Sequence, residues 1–447
     1  MGKRFPAFKA YDIRGVVPTE LGPDLAYKVG RAYADVIGAK TVCVGYDIRL
    51  SGPDLYEAFA RGLNDAGVDV VHLGMVGSEM VYFATAFYGF DGGCMITASH
   101  NPAEYNGLKF VREESRPISG DTGLDDIEEA AFKEEWKRTG QGTRRDLDPY
   151  DDFVQHLLGI VPASDLKPLK VLCDAGNGAA GVALEKLLPH LPLQVARRLF
   201  EPDGHFPNGV PNPILEQQRA GTEADIKAGD FDFGVAWDGD YDRCFFLDGR
   251  GEFIEGYYIV GLLAQALLHD GPSRIVYDPR LTWNTIDIVE RMGGEAVICK
   301  SGHAFIKEKM RAVDAIYGGE MSAHHYFKSH WYCDSGMIPF LLVARLVSKT
   351  GKKLSELVDE MIAAYPCSGE VNSKVADVAA TIAKIEAEYG PQGKVDKIDG
   401  LSVEFPEWRF NLRGSNTEPL LRLNVESRGD RALMEAKTQE LLGKIRG

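Results

Sequence analysis

Two hydroxyl- and carboxylate-rich stretches follow apolar runs that read as strands. The first is Thr97-Ala98-Ser99-His100-Asn101-Pro102, directly after a run ending at Ile96. In an open parallel sheet, ligands gather beyond the carboxyl ends of the strands, which makes Ser99 a candidate nucleophile. The competing reading is an ordinary turn before a proline. Neighbouring side chains tend to diverge, so Ser99 and His100 are not expected to pair as nucleophile and base, and another activator is needed.

The second stretch is Asp238-Gly239-Asp240-Tyr241-Asp242-Arg243. Three carboxylates at alternate positions of a glycine-containing turn converge their oxygens on a hard divalent cation, since three like charges so close repel unless compensated; the alternative is a solvated acidic turn. A calcium EF-hand is excluded, because Arg243 and Gly249 stand where that loop needs Gly and Glu. With so few protein ligands, Mg2+ that keeps positions open for phosphate oxygens fits better than caged Ca2+.

Three further groups stand apart. Gly176-Asn177-Gly178-Ala179-Ala180-Gly181 matches a dinucleotide fingerprint between a strand and a helix, but Glu201 runs into Pro202-Asp203-Gly204 instead of closing a second strand. Glu320 and Ser322, two residues apart in an extended loop, point the same way and suit a pair of sugar hydroxyls, with Lys300-Ser301-Gly302-His303 upstream. His324 and His325 lack the spacing of a zinc helix. Arg413-Gly414-Ser415-Asn416-Thr417 offers a guanidinium, hydroxyls, an amide and backbone N–H groups, a phosphate nest or a plain turn.

These residues need elements to hold them. Periodicity predicts helices over 24–37 and 55–66 and strands over 41–45, 68–73 and 93–97, an alternation that implies a mostly parallel sheet covered on both faces. A second unit runs from the strand 170–173 to the strand 231–237. A third has a helix at 257–268, strands at 274–277 and 295–299 and a helix after 335. Beyond 369, short strands near 371, 401–405, 409–411 and 421–425 with helices at 378–388 and 430–445 read as a smaller α+β domain. Length alone, at 447 residues, gives about three domains, and the pattern gives four: 1–147, 148–251, 252–367 and 368–447.

Hydrophobic residues at 45% and charged residues at 26% describe a folded globular chain. Acidic residues outnumber basic ones 66 to 50, which argues against nucleic acid or anionic membranes as partners. Seven singly spaced cysteines without a Cys-x-x-Cys pair fit a reducing compartment, and no signal peptide or membrane span is read, so a cytoplasmic protein is expected.

Together, Tyr11-Asp12-Ile13-Arg14-Gly15, the Ser99 loop, Asp238–Arg243, Gly319–His324 and Arg413–Thr417 occur in the order, and at the domain-scale intervals, of the α-D-phosphohexomutases. The sequence resembles that family, of the bacterial phosphomannomutase/phosphoglucomutase type, over essentially its whole length. The resemblance implies three successive mixed α/β-sheet domains plus a smaller C-terminal α+β domain around a central cleft, and it assigns the glycine run to the opening of the second domain. It implies that Ser99 is a phosphoserine, which removes the need for a dyad, and that Mg2+ is held by Asp238, Asp240, Asp242 and an oxygen of the phosphoryl group on Ser99. Lys109 and His100 become general acid/base candidates, with Arg14 on the transferring phosphoryl and Arg243 in support. The phosphate that stays on the sugar would rest on Arg413, Ser415, Asn416 and Thr417, while Glu320 and Ser322 read ring hydroxyls and Tyr11, Arg280, Gly302, His303 and His324 line the cleft. Arg280 and Ala323 stand where family members often carry Lys and Gly.

The implied reaction is the interconversion of mannose 1-phosphate and mannose 6-phosphate, with glucose phosphates also accepted, through a hexose 1,6-bisphosphate that is both intermediate and activator. A monomer or weak homodimer acting on small sugar phosphates is expected. The alternatives are an enzyme acting mainly as a phosphoglucomutase, a metal-dependent sugar phosphatase and a non-catalytic sugar-phosphate sensor.

Overall fold

The computed structural model describes residues 4–414 and 420–447 and comprises two compact units. The first contains the chain up to Phe253 together with Tyr326–Thr350; the second contains Ile254–His325 and everything from Gly351 onward.

The first unit holds two sheets. Strands β1 (Ile13–Val16), β2 (Thr41–Tyr46), β3 (Asp69–Met75), β4 (Gly92–Ile96), β5 (Tyr105–Arg112) and β6 (Arg144–Asp146) align in the order β1-β5-β4-β2-β3-β6. The four strands β4, β2, β3 and β6 are parallel, whereas β5 runs antiparallel to β4 and β1 antiparallel to β5. The sheet is therefore mixed, as the family pattern implies. The alternating-unit reading, which gave a mostly parallel sheet, overlooked β5 because Tyr-Asn-Gly-Leu-Lys-Phe-Val-Arg shows no clean alternation. The helices expected at 24–37 and 55–66 are Pro23–Ile37 and Gly52–Asp65. Pro23 starts the first of these, where its missing N–H costs nothing, and Gly38 ends it in the left-handed region, donating its N–H to Ala34.

The second sheet has the order β10-β9-β7-β8, built from β7 (Lys170–Asp174), β8 (Gln194–Arg198), β9 (Phe233–Trp237) and β10 (Cys244–Asp248). β9 and β10 form an antiparallel pair with Trp237 opposite Cys244, so the acidic stretch Asp238–Arg243 is a hairpin loop. Both strands are buried throughout, and the Trp237 indole donates to the Gly336 carbonyl at 3.0 Å, ahead of the helix Met337–Thr350. A buried indole N–H needs such an acceptor.

In the second unit, Glu295–Ile298, Arg274–Tyr277 and Tyr317–Gly319 run parallel. A five-stranded antiparallel sheet follows, ordered Val371–Lys374, Leu420–Ser427, Trp408–Gly414, Leu401–Glu404, Lys394–Asp396, with helices Val378–Tyr389 and Arg431–Arg446. The strands expected at 409–411 and 421–425 are longer: their polar members Arg409, Asn411, Asn424 and Glu426 are buried, and Arg409, Asn411 and Glu426 find hydrogen-bond partners within the unit. Arg409 donates to Glu426 at 2.7 Å and to the carbonyls of Pro279 and Arg280, while the Thr282 N–H and the Tyr257 hydroxyl also donate to Glu426. Removing one partner of such a buried pair leaves an uncompensated charge. Among the described residues every cysteine is free, and no helix is long and apolar enough to cross a membrane.

His156 in the first unit stacks on Trp331 at 5.2 Å, and its Nε2 lies 3.1 Å from His330 Nδ1. Burial pushes its pKa down to about 4. The folded protein thus refuses a proton that the unfolded chain accepts below about pH 6.5. The stability this represents is fully present above that pH and is lost as the pH falls toward 4, about 2 kcal/mol by pH 5. Melting His156→Gln beside the parent from pH 7 to 5 is expected to show the variant's deficit shrinking as the pH falls; a constant gap contradicts this.

Candidate active site

Strand ends assemble the site of the first unit. β4 ends at Ile96 and releases the Ser99 loop; β9 ends at Trp237 and releases the acidic hairpin loop. The two loops touch at Gly239, where an added Cβ would lie 2.5 Å from the Ser99 carbonyl oxygen, so only glycine permits this approach. Gly178 plays a similar part beneath it: a Cβ there would meet the carbonyl of Gly239 at 3.2 Å. The fingerprint-like glycine run is therefore a support under the acidic loop.

Ser99 is buried and takes φ +49°. This left-handed turn overturns the expectation that Ser99 and His100 diverge, because it brings Ser99 Oγ to 3.0 Å from His100 Nδ1. They still do not form a nucleophile–base dyad. Arg243 Nη2 also lies on that nitrogen at 2.5 Å, and a guanidinium only donates, so Nδ1 is the acceptor of the Arg243 bond. The single Ser99 proton goes instead to Asp238 Oδ2 at 2.8 Å. Burial, then the charges of Arg243 and Arg14, hold the His100 pKa well below its ordinary value, so the ring is neutral with its proton on Nε2.

Asp238, Asp240 and Asp242 are all buried and each directs a carboxylate oxygen within 4.8 Å of the others. Asp238 accepts from Arg243 Nε and Nη2 at 3.0 and 2.7 Å. Lys109, from β5, donates to Asp240 Oδ2 at 2.6 Å and Asp242 Oδ2 at 2.7 Å, and Ser78 donates to Asp240 Oδ2 at 2.5 Å. Burial works against the Lys109 charge, but these carboxylates outweigh it and raise its pKa, so the ammonium stays charged. Burial likewise opposes the Asp240 charge and loses to Lys109, which keeps that carboxyl below the usual range. Asp240 Oδ1 is buried with no hydrogen-bond partner. An all-oxygen donor set of three convergent carboxylates, one with an unsatisfied buried oxygen, fits a hard divalent cation.

Arg14, on β1, donates to Asn101 Oδ1 at 2.7 Å and to Asp12 at 2.6 Å, so it is tied to the Ser99 loop. Tyr11 precedes it, partly exposed.

The second unit carries its own cluster. Arg280 is buried and bound by Asp278 through its backbone N–H, Nε and Nη2 at 2.9, 2.9 and 2.8 Å. Its Nη2 also donates to Ser322 at 3.2 Å and lies 3.6 Å from Glu320. The loop expected to be extended is a tight turn: Glu320 N–H donates to the His324 carbonyl, Ala323 N–H donates to that of Glu320, and Ala323 has φ +69°. Glu320 and Ser322 meet through Arg280 and not by strand alternation. Gly302 donates its N–H to Glu320 at 2.9 Å, just before the helix His303–Val313. Arg413 lies 3.4 Å from Glu370 and 3.5 Å from Asp399. Ser415, Asn416 and Thr417 lie outside the described residues.

Sequence reading missed Ser78, Asp47, Arg49 and Asp278, and it gave no role to Thr97 and Asn101 within the stretch it singled out. The signal for two pairs was present: Asp47-Ile48-Arg49 and Asp278-Pro279-Arg280 both stand just past a strand, where polar pairs belong to ligand-facing loops.

Similarity to known proteins covers the whole chain. Models of the phosphoglucomutase/phosphomannomutase domains match in order: alpha/beta/alpha domain I at residues 6–138, domain II at 150–251, domain III at 255–365 and the C-terminal domain at 370–442. The chain is 54% identical over 446 residues to a protein named phosphohexose mutases from Xanthomonas campestris, covering 99% of both. It is 52% identical over 452 residues to the phosphomannomutase of Salmonella typhimurium, again covering 99% of both. Among solved structures, a phosphoglucomutase/phosphomannomutase family protein from Burkholderia thailandensis superposes with a TM-score of 0.88 at 34% identity, over 98% of this chain and 96% of that one.

Proposed function

The chain belongs to the α-D-phosphohexomutase family, the phosphoglucomutase/phosphomannomutase enzymes, and from that premise we propose that it is a phosphomannomutase that also accepts glucose phosphates. It interconverts the 1- and 6-phosphates through a phosphorylated Ser99 and a hexose 1,6-bisphosphate. One observation carries this reading: Ser99 Oγ lies in hydrogen-bond contact with an acidic loop whose other two carboxylates are held by Lys109. The name of the Salmonella relative supports mannose as the principal sugar.

In the first transfer the bond between Ser99 Oγ and phosphorus breaks as a sugar hydroxyl oxygen takes the phosphoryl group. In the second, after the bisphosphate has turned end for end, Ser99 takes back the other phosphate. Mg2+ bound by Asp238, Asp240 and Asp242 supplies charge withdrawal from the phosphoryl oxygens. Arg243, 3.5 Å from Ser99 Oγ, and Arg14, tied to the same loop, add positive charge where negative charge moves. Lys109 as an ammonium is suited to protonating the departing Ser99 oxygen, the proton it gives being replaced by the one the attacking sugar hydroxyl loses, while His100, neutral with its proton on Nε2, donates a hydrogen bond to the phosphoryl group. A loose phosphoryl transition state needs no early deprotonation of the sugar hydroxyl, so a charged Lys109 is no obstacle.

In the second unit, Glu320 and Ser322 read two ring hydroxyls in either orientation of the sugar, with C2 unread, so both C2 epimers fit. Arg280 orients this pair, Gly302, His303 and His324 contact the same sugar, Tyr11 is a further substrate contact, and Arg413 with Ser415, Asn416 and Thr417 takes the phosphate that stays on the sugar. The four matched regions support domain bounds at 147, 251 and 367. The protein works in the cytoplasm on small sugar phosphates, as a monomer or weak homodimer.

The deciding measurement is kcat/KM for mannose, glucose and glucosamine 1-phosphates side by side, with Mg2+ and a trace of hexose 1,6-bisphosphate. Mannose and glucose turnover within about tenfold of each other, and glucosamine at least about a hundredfold lower, is expected. Free phosphate released in step with substrate loss, with no isomer formed, overturns the assignment in favour of a phosphatase.

A further inference from the structure

The loop that carries Ser99 is fastened to one buried guanidinium. Arg49 lies just past β2 and is 1% exposed. Its Nη2 donates to the carbonyl oxygens of Ser99 and Asn101 at 2.9 and 2.7 Å, and its Nη1 to those of Pro102 and Tyr105 at 2.8 Å each. The Phe206 ring covers it, with the centroid 5.3 Å from the guanidinium carbon. Asp47 braces it from behind, accepting the Arg49 backbone N–H at 3.0 Å and lying 3.4 Å from Nε. The same carboxylate accepts from the Thr97 hydroxyl at 2.6 Å, and that hydroxyl accepts the Ser99 backbone N–H at 2.8 Å.

Both backbone polar groups of Ser99 are thus fixed by one Asp-Ile-Arg triplet, its carbonyl directly by Arg49 and its N–H through Thr97. The arrangement meets a specific need. A non-glycine residue at positive φ is held there only if its surroundings over-determine it, at a cost of about 1–3 kcal/mol. Four charge-assisted bonds to one loop supply that constraint.

We propose that Arg49, braced by Asp47 and relayed through Thr97, is the positioning residue of the phosphoryl-carrying loop: it sets the direction of Ser99 Oγ without touching the substrate. The proposal rests on Ser99 being the phosphoryl carrier. A lysine at 49 keeps the charge but cannot span four carbonyls with a planar fork.

Arg49→Lys, Arg49→Met and Thr97→Val are compared with the parent for kcat, KM, melting midpoint and the dissociation constant of mannose 6-phosphate. Arg49→Lys is expected to lower kcat about 10²-fold, the effect of a small misplacement of a reacting atom. KM and the dissociation constant stay within about threefold, the signature of an interaction that acts on the transition state and not on binding. Thr97→Val, losing one link, is expected to lower kcat about tenfold. A purely structural role predicts the opposite pattern, a lower melting midpoint with kcat of the folded fraction unchanged, and that result overturns the proposal, as does a loss of kcat matched by a loss of binding. If the Arg49 variants do not fold, Thr97→Val decides alone, and parental kcat in it overturns the proposal. Ser99→Ala separates the two layers: if it keeps turnover, the carrier reading fails; if it is inactive while Arg49→Lys and Thr97→Val are fully active, only the positioning role fails.

Discussion

Ser99→Ala is expected to lower turnover of mannose 1-phosphate by about 10⁴-fold or more, because no other group takes over a covalent carrier. Among the described residues Ser99 Oγ is the one hydroxyl bonded to Asp238, and its loss removes the atom on which the transferred group rests. Binding is expected to survive, since the substrate contacts proposed for the second unit do not involve Ser99; the dissociation constant for mannose 6-phosphate stays within about threefold. Steady-state kinetics with isothermal titration on the same preparation checks both halves. Intact-mass measurement after incubation with hexose 1,6-bisphosphate adds a chemical readout: one phosphate on the parent and none on the variant. Turnover above a tenth of the parental value rules out Ser99 as the carrier.

Asp240→Asn is expected to have the next largest effect. Asp240 accepts from Lys109 and Ser78 through one oxygen and leaves the other buried without a partner. An amide in its place removes a negative charge from the proposed cation site and leaves the Lys109 ammonium with the Asp242 carboxylate and the Ser78 hydroxyl. Turnover is expected to fall about 10³-fold, the scale of losing a preorganised electrostatic group. Mg2+ affinity, read by titration calorimetry without substrate, falls with it. Unchanged Mg2+ affinity removes Asp240 from the ligand set even if activity is lost.

Much of the chemistry was legible because it follows strand ends. The Ser99 and Asp238–Arg243 stretches stood out by residue type and by the apolar runs before them, and local position is enough to read such loops. Lys109 came only from the family resemblance, since it lies inside β5, an antiparallel strand whose sequence does not alternate. The Ser99–His100 contact was misjudged for a backbone reason: a left-handed serine reverses the usual divergence of neighbours, and no residue type announces it. Arg49 was passed over because burial is a tertiary property. An Asp-Ile-Arg triplet after a strand looks like a solvated loop until the carbonyls it serves, about fifty residues away, are folded onto it. The turn at Glu320–His324 was read as extended because strand-like alternation and a tight turn with a positive-φ alanine give the same short polar pattern.

One unit recurs along the chain; at Asp248-Gly249-Arg250 its guanidinium is exposed, and at three other places it is shielded from water. In Asp12-Ile13-Arg14, Asp47-Ile48-Arg49 and Asp278-Pro279-Arg280, an arginine is ion-paired to the aspartate two residues before it, at 2.6, 3.4 and 2.8 Å. Each guanidinium loses water and rotational freedom when its own loop folds. Little of either is left to lose when an anion or a polar partner arrives, so the reorganisation that a mobile arginine would undergo on every turnover has been met once, during folding. A guanidinium paired to its own aspartate is neutral only as a pair, and the pair exerts little pull at long range, so a protein with net charge −16 carries these arginines without a strongly attractive field for stray polyanions.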